Sequence, residues 1–370
     1  MSPRRARYGT GDPALDEHVV GLIEEAGVHR DEDLAFEMVA SVLRMGRESV
    51  DRGDLKLVNA ALKELRYSFL VFEPYRRVRK ASIFGSARTQ VGDAEYGVAR
   101  DFGRAIVDEG WMVITGAGPG IMEAGIEGAG ADRAFGVNIV LPFEQDATPL
   151  LAGDPKLINY RYFFTRKLMF MKESSAFALL PGGFGTMDEG FELLTLMQTG
   201  RSAIAPIVLL DPPGSTYWES WLRFTETELL GRSLISPDDL ALFRLCHDID
   251  EAVQEICHFY RRYHSMRFVG RRLVVRLTTP VDDDELAALN GEFADIVAGS
   301  PFTRVEASPG EVDDDDVPDL PRIAFGFDRR GFSRLRVLID RLNENAPATP
   351  DPGPPPAGLG PDALTPPTGA

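Results

Sequence analysis

The chain has 370 residues, enough for two or three folded units that each bury a core of their own. Asp and Glu number 57 against 40 Lys and Arg, a formal charge of −17. That balance argues against a general nucleic-acid binder, which needs a basic footprint to displace counterions, although one phosphate in a locally basic pocket remains compatible with it.

Hydrophobic content of 44% and charged content of 26% are ordinary globular values. No apolar run approaches the ~18 residues of a membrane span. The start, Met1 to Arg7, carries charge with no apolar stretch behind it, so a secretory signal is not expected and the cytoplasm is the expected compartment.

Residues 12–78 read as helical. Leu34, Met38, Val42, Met45 and Val50 recur at three-to-five spacing, Leu62, Leu65 and Phe69 repeat the pattern, and Gly53-Asp54 is expected to break the two segments. Residues 1–79 thus form a helical extension, a cap or dimer-forming arm without visible chemistry.

From Lys80 the pattern changes to short apolar strands alternating with helices. Strands are expected at Ala81–Phe84, Trp111–Thr115, Phe135–Leu141, Leu157–Tyr160, Ala176–Leu180 and Pro206–Leu210. Helices are expected at Tyr96–Glu109, Tyr217–Leu230 and Asp250–His264. Strands apolar on both faces in such alternation predict a doubly wound parallel α/β sheet over residues 80–265.

A smaller α+β module is expected over 266–345. Its strands are Arg272–Leu277, Phe302–Ala307 and Arg322–Asp328, and its helices Asp284–Val297 and Phe332–Asn343. The run Asp313–Asp316 lacks the alternating ligands and turn glycine of a calcium loop and reads as solvated. The last 25 residues hold nine prolines and are expected to be disordered. Cys246 and Cys257, each followed by a histidine, lack the spacing of a zinc site and read as buried thiols on helical segments. No metal is expected.

Three glycine-bearing loops follow strands of the α/β unit. Gly85-Ser86-Ala87-Arg88 follows the first, Thr115-Gly116-Ala117-Gly118-Pro119-Gly120-Ile121-Met122 the second, and Pro181-Gly182-Gly183-Phe184-Gly185-Thr186 a later one. Ligands of parallel sheets collect at the carboxyl ends of strands, where glycines admit a phosphate to the backbone and helix N-termini supply free N–H donors. Ile121 stands where a dinucleotide fingerprint needs glycine, and no Gly-Lys-Ser/Thr ending is present, so a mononucleotide phosphate fits better than NAD or a nucleoside triphosphate.

Arg166 and Lys167 stand at a helix start inside a basic, aromatic run, where the dipole disfavours cations and an anionic partner would compensate. Glu189 lies three residues past Thr186, where nearby N–H groups are expected to hold it ionised, and Asp188 and Glu192 compete for its role.

Pro181-Gly182-Gly183-Phe184-Gly185-Thr186-Met187-Asp188-Glu189 resembles the P-G-G-x-G-T-x-x-E signature of the LOG ("lonely guy") family, cytokinin riboside 5′-monophosphate phosphoribohydrolases formerly labelled lysine decarboxylases. Arg166-Lys167 resembles its upstream Arg-Lys pair, and Gly116 to Met122 its second glycine loop. The likeness covers roughly Lys80 to His264.

It implies a Rossmann-like, metal- and cofactor-independent enzyme. Such an enzyme splits a nucleoside 5′-monophosphate, AMP or N6-modified AMP, into free base and ribose 5-phosphate. A homodimer or larger homo-oligomer, with no nucleic-acid polymer and no membrane as partner, comes with it. Glu189 and Arg166 would be catalytic. Gly85, Ser86, Gly116, Gly118, Gly120, Met122, Lys167, Gly182, Gly183, Gly185 and Thr186 would hold the substrate and its phosphate.

Plant-type members carry an acid after Arg-Lys and a closing Met. Here Leu168-Met169-Phe170 follows, which bears on base recognition, and Ala117 stands where a third glycine is common. Two other readings compete. One is a non-catalytic nucleotide-sensing module on the same fold. The other is a pyridoxal-phosphate decarboxylase, for which Lys167 would be the lone lysine without a pyridinium partner.

Overall fold

The computed structural model describes residues 8–140, 148–313, 317–344, 346 and 353–354. The chain divides into two compact units, Met1–Leu65 and Arg66–Ala370.

In the first unit, α1 (Pro13–Glu25) and α2 (Glu32–Arg47) pack Val19 and Ile23 against Phe36 and Ala40. The Asp12 carboxylate accepts the N–H groups of Ala14 and Leu15, and Pro13 opens the helix without wasting a donor. Leu34, Met38 and Val42, the expected apolar stripe of α2, are exposed; the buried face is the neighbouring one, carried by Phe36 and Ala40. The break falls earlier than expected. α3 (Arg52–Phe72) already contains Gly53, because Asp51 caps it by accepting from the Gly53 and Asp54 N–H groups.

The second unit is built on seven strands: β1 (Lys80–Phe84), β2 (Met112–Thr115), β3 (Ala134–Ile139), β4 (Leu157–Tyr160), β5 (Ala176–Leu179), β6 (Ile207–Leu210) and β7 (Phe243–Cys246). The helices among them are α4 (Ala94–Asp108), α5 (Ile121–Ala129), α6 (Phe163–Glu173), α7 (Phe184–Gln198), α8 (Tyr217–Phe224) and α9 (Ile249–Phe259).

All seven strands are parallel, in the order β4-β3-β2-β1-β5-β6-β7. The sheet is the expected doubly wound one. Strands β1, β2, β5 and β6 are buried along their whole length, which is why their sequences are mostly apolar on both faces. Chain progression reverses between β1 and β5, so the loops after these two strands flank the switch point.

A second sheet is antiparallel, in the order β10-β11-β9-β8. It comprises β8 (Tyr263–Val269), β9 (Arg272–Leu277), β10 (Thr303–Arg304) and β11 (Arg322–Gly326), with helices α10 (Asp283–Glu292), α11 (Pro309–Asp313) and α12 (Phe332–Asn343). The proposed boundary at residue 265 lies inside β8. Asn343 joins three elements: its amide donates to Phe259 O at 2.7 Å, and its carbonyl oxygen accepts from the N–H groups of Arg262 and Tyr263 at 2.9 and 3.0 Å.

Several expectations need correction. The helix expected over Asp250–His264 stops at Phe259, and His264 is a buried strand residue, because pairing with β9 claims the aromatic, β-branched run after Arg262. Cys246 lies on β7, not on a helix, where burial pushes its thiol up to about 12; Cys257 is half-buried on α9. The strand expected over Phe302–Ala307 shrinks to Thr303–Arg304.

The acidic residues 314–316, the seven N-terminal residues and most of the proline-rich tail lie outside the described residues. Of the tail, Ala346, Gly353 and Pro354 are described and buried, and the Gly353 carbonyl lies 2.8 Å from His264 Nε2. Among the described residues no helix is long and apolar enough to cross a membrane.

The core of the second sheet contains a charge pair. Arg276 and Glu311 are both 2% exposed; Arg276 Nη2 and Nε donate to Glu311 Oε1 at 2.7 and 3.1 Å. Arg276→Met, which leaves that carboxylate buried without its main partner, is expected to cost about 3–5 kcal/mol in urea denaturation. Arg276→Met/Glu311→Met should recover much of the loss.

Candidate active site

The three glycine loops follow β1, β2 and β5, which are neighbours in the sheet, and one residue stitches them together. Ser86 N–H donates to Pro181 O at 3.2 Å, and Ser86 O accepts from Ile121 N–H at 3.1 Å. Gly120, which caps α5, has φ +71° and its α-carbon faces Ser86 O so closely that a Cβ would collide with the peptide. A Cβ on Gly116 would meet Met122 Sδ at 2.5 Å and the Arg166 guanidinium, so this glycine is required by what packs on it. Between them Ala117 occupies the left-handed region at φ +56°, the conformation for which glycine is usual in the family loop. Gly85 lies against the Ile121 side chain, Gly118 against Met122, and Gly182 against Thr186 and Ser86.

The helices opening at these turns lack capping side chains. Gly183 caps α7 and Gly120 caps α5 with no side-chain acceptor, whereas α1, α9 and α10 are capped by Asp12, Asp248 and Asp282. With the Ile121 N–H taken by Ser86 O, the remaining first-turn N–H groups meet no capping side chain, the arrangement that suits an anion. No described atom lies within 4 Å of where a Cβ on Gly183 or Gly185 would stand, so the ground over the turn is open.

Tyr217, at the start of α8, donates its hydroxyl to Gly182 O at 2.5 Å and fastens the turn from the β6 side. Asp211 anchors that end of α8 in turn, accepting from Trp218 N–H at 2.9 Å and Ser215 Oγ at 2.8 Å. Nothing in the sequence around Tyr217 points to this role.

Arg166 lies in the first turns of α6 and reaches under the second loop. Its Nε donates to Val137 O at 2.8 Å, and the guanidinium lies 5.3 Å from the Phe170 ring centre, over its face. Phe170 thus serves as its platform. Burial pulls the Arg166 proton affinity below its ordinary value, with Glu189 and Tyr160 opposing.

Glu189 falls in the second turn of α7 and is 7% exposed. The expectation that N–H groups hold it ionised is not met: its Oε2 has no hydrogen-bond partner among the described residues. Burial therefore dominates and raises its pKa to about 7, against Lys167 and Arg166, which lower it, while Glu192 and Asp188 add to the rise. Lys167 Nζ lies 2.6 Å from Glu192 Oε2, 2.8 Å from Asp188 Oδ2 and 3.9 Å from Glu189 Oε2. The residues picked out in the sequence are therefore brought together, with Lys167 drawn into the acidic face of α7 rather than standing free.

The family model described as "Possible lysine decarboxylase" matches residues 119–256. A probable cytokinin riboside 5′-monophosphate phosphoribohydrolase of Oryza sativa subsp. japonica is 31% identical over 169 residues, 44% of this chain and 64% of that protein. The matched region is thus similar to the LOG family. A cytokinin riboside 5′-monophosphate phosphoribohydrolase of Mycobacterium tuberculosis is 28% identical over 42% of this chain and 82% of its own length. Thus the LOG-type match spans less than two thirds of the rice protein and more of the bacterial one. Among solved structures, the molybdenum cofactor carrier protein of Chlamydomonas reinhardtii is similar at 18% identity and a TM-score of 0.34, over 48% of this chain and 94% of that one.

The raised Glu189 pKa sets the sign of a stability effect. The carboxyl binds its proton more tightly folded, at about 7, than at the ordinary 4.5, so its contribution is complete below 4.5 and lost as pH rises to about 7. Glu189→Gln is expected to stabilise the protein at pH 8 by about 1–3 kcal/mol and to leave stability at pH 4 nearly unchanged. Chemical denaturation at the two pH values checks this.

Proposed function

We propose that this protein hydrolyses the N-glycosidic bond of a nucleoside 5′-monophosphate, AMP or an N6-modified AMP, releasing free base and ribose 5-phosphate. The observation that carries the reading is Glu189: a nearly buried carboxylate, with one oxygen unclaimed, just beyond the uncapped glycine turn at the switch point. The activity for which these relatives are named supports it at the level of reaction class.

The chemistry follows from the residues. The ribose phosphate sits over Gly183, Gly185 and Thr186, where peptide N–H groups and the α7 dipole favour an anion, and this remote grip positions the sugar. As the C1′–N bond lengthens, its electron pair leaves with the base and positive charge builds on the ribose ring. The ionised form of Glu189 faces that charge, stabilises it and takes a proton from the attacking water, whose oxygen bonds to C1′; that proton then passes by way of solvent to the departing base, which leaves neutral and returns Glu189 to its charged form. Arg166 keeps its proton throughout and orients rather than donates. The reaction as written uses water alone and no cofactor.

Wild-type protein incubated with AMP should yield adenine and ribose 5-phosphate in equal amounts by chromatography. Glu189→Gln and Arg166→Lys should each lose about 100-fold or more of that rate. Because the charged carboxylate is the working form, kcat/KM should rise with pH through about 7. Tight AMP binding without base release would assign the site to nucleotide sensing instead.

A further inference from the structure

Lys167 sits on α6, one residue past Arg166, and its side chain is 15% exposed. Two of its three donors are directed to α7: Glu192 Oε2 at 2.6 Å and Asp188 Oδ2 at 2.8 Å hold it, while Glu189 Oε2 at 3.9 Å lies beyond hydrogen-bond reach. Asp188 and Glu192 flank Glu189 on the same helix, one beside it and one a turn further on. Without a cation between them, three carboxylates would share one end of α7. An ammonium so placed is a poor phosphate ligand, since reaching a phosphate would expose that cluster to its own repulsion.

Resting on the reading of Glu189 as the working carboxylate, we infer that Lys167 is a positioning residue. Held between Asp188 and Glu192, it screens Glu189 from these two neighbours and so sets the pH above which Glu189 carries its charge. The groups facing Glu189 are then fully accounted for: Lys167 and Arg166 from α6 favour its charge, and Asp188 and Glu192 from α7 oppose it. Arg166 is tied to Val137 O, which leaves Lys167 as the adjustable cation.

The test is the pH dependence of base release from AMP in Lys167→Met and Glu192→Gln, with a parallel titration of the Glu189 carboxyl by 13C NMR in the same proteins. In Lys167→Met the midpoint of the kcat/KM profile and the carboxyl titration should both move up by about one pH unit. Base release at pH 6 should fall about tenfold, with KM for AMP at pH 9 little changed. In Glu192→Gln both midpoints should move down. A Lys167→Met profile that keeps its midpoint while KM rises at every pH would overturn the inference and return Lys167 to phosphate binding. The carboxyl titration decides the matter even where wild type releases no base: an unmoved midpoint there sinks the screening role, whereas a moved one without base release sinks only the hydrolase reading.

Discussion

Ser86 gives its N–H to the loop after β5 and its carbonyl to the first residue of α5, and the site exists because one residue does both. The loops after β1, β2 and β5 are separated by as much as a hundred residues of chain, yet only adjacent strands can place them within one hydrogen bond of each other. The reversal of chain progression between β1 and β5 opens the gap into which these turns project. Gly120 then follows as a requirement, since any side chain there would strike the peptide that makes the link.

Electrostatics at this edge is arranged by removing water rather than by adding donors. Uncapped N–H groups at α5 and α7 make the rim attractive to an anion. Two turns deep, Glu189 is deprived of both solvent and donors, so its charge is conditional. Arg166 and Lys167, side by side on α6, divide the work of stabilising it. The first is pinned beneath the second glycine loop; the second is bound to the acids of α7.

The sheet was legible because its evidence is local: short apolar runs ending in glycine, at Phe84, Thr115 and Leu180, need no partner to be recognised. The glycine turns stood out for the same reason, Glu189 through the nine-residue signature, and Arg166 as a cation placed at a helix start. What escaped depends on distant chain. β7 carries Arg244 in a run of four and looks like a loop until β6 pairs with it. β8 continues a helical pattern until β9 claims it. The Tyr217 bond to Gly182 spans 35 residues, and the protonation of Glu189 is set by how tightly other elements close over it. On α2 the periodicity was real, but the face turned to the core is the one carrying Phe36 and Ala40 rather than Leu34, Met38 and Val42.

Asn343 closes three hydrogen bonds with a single amide, to the last turn of α9 and to the first residues of β8. The carboxy-terminal sheet is therefore not a removable cassette. Cutting the chain anywhere ahead of that side chain would strip buried peptide groups at the end of α9, a helix that packs on the parallel sheet itself, and any truncated form would carry the damage back toward the fold it was meant to isolate.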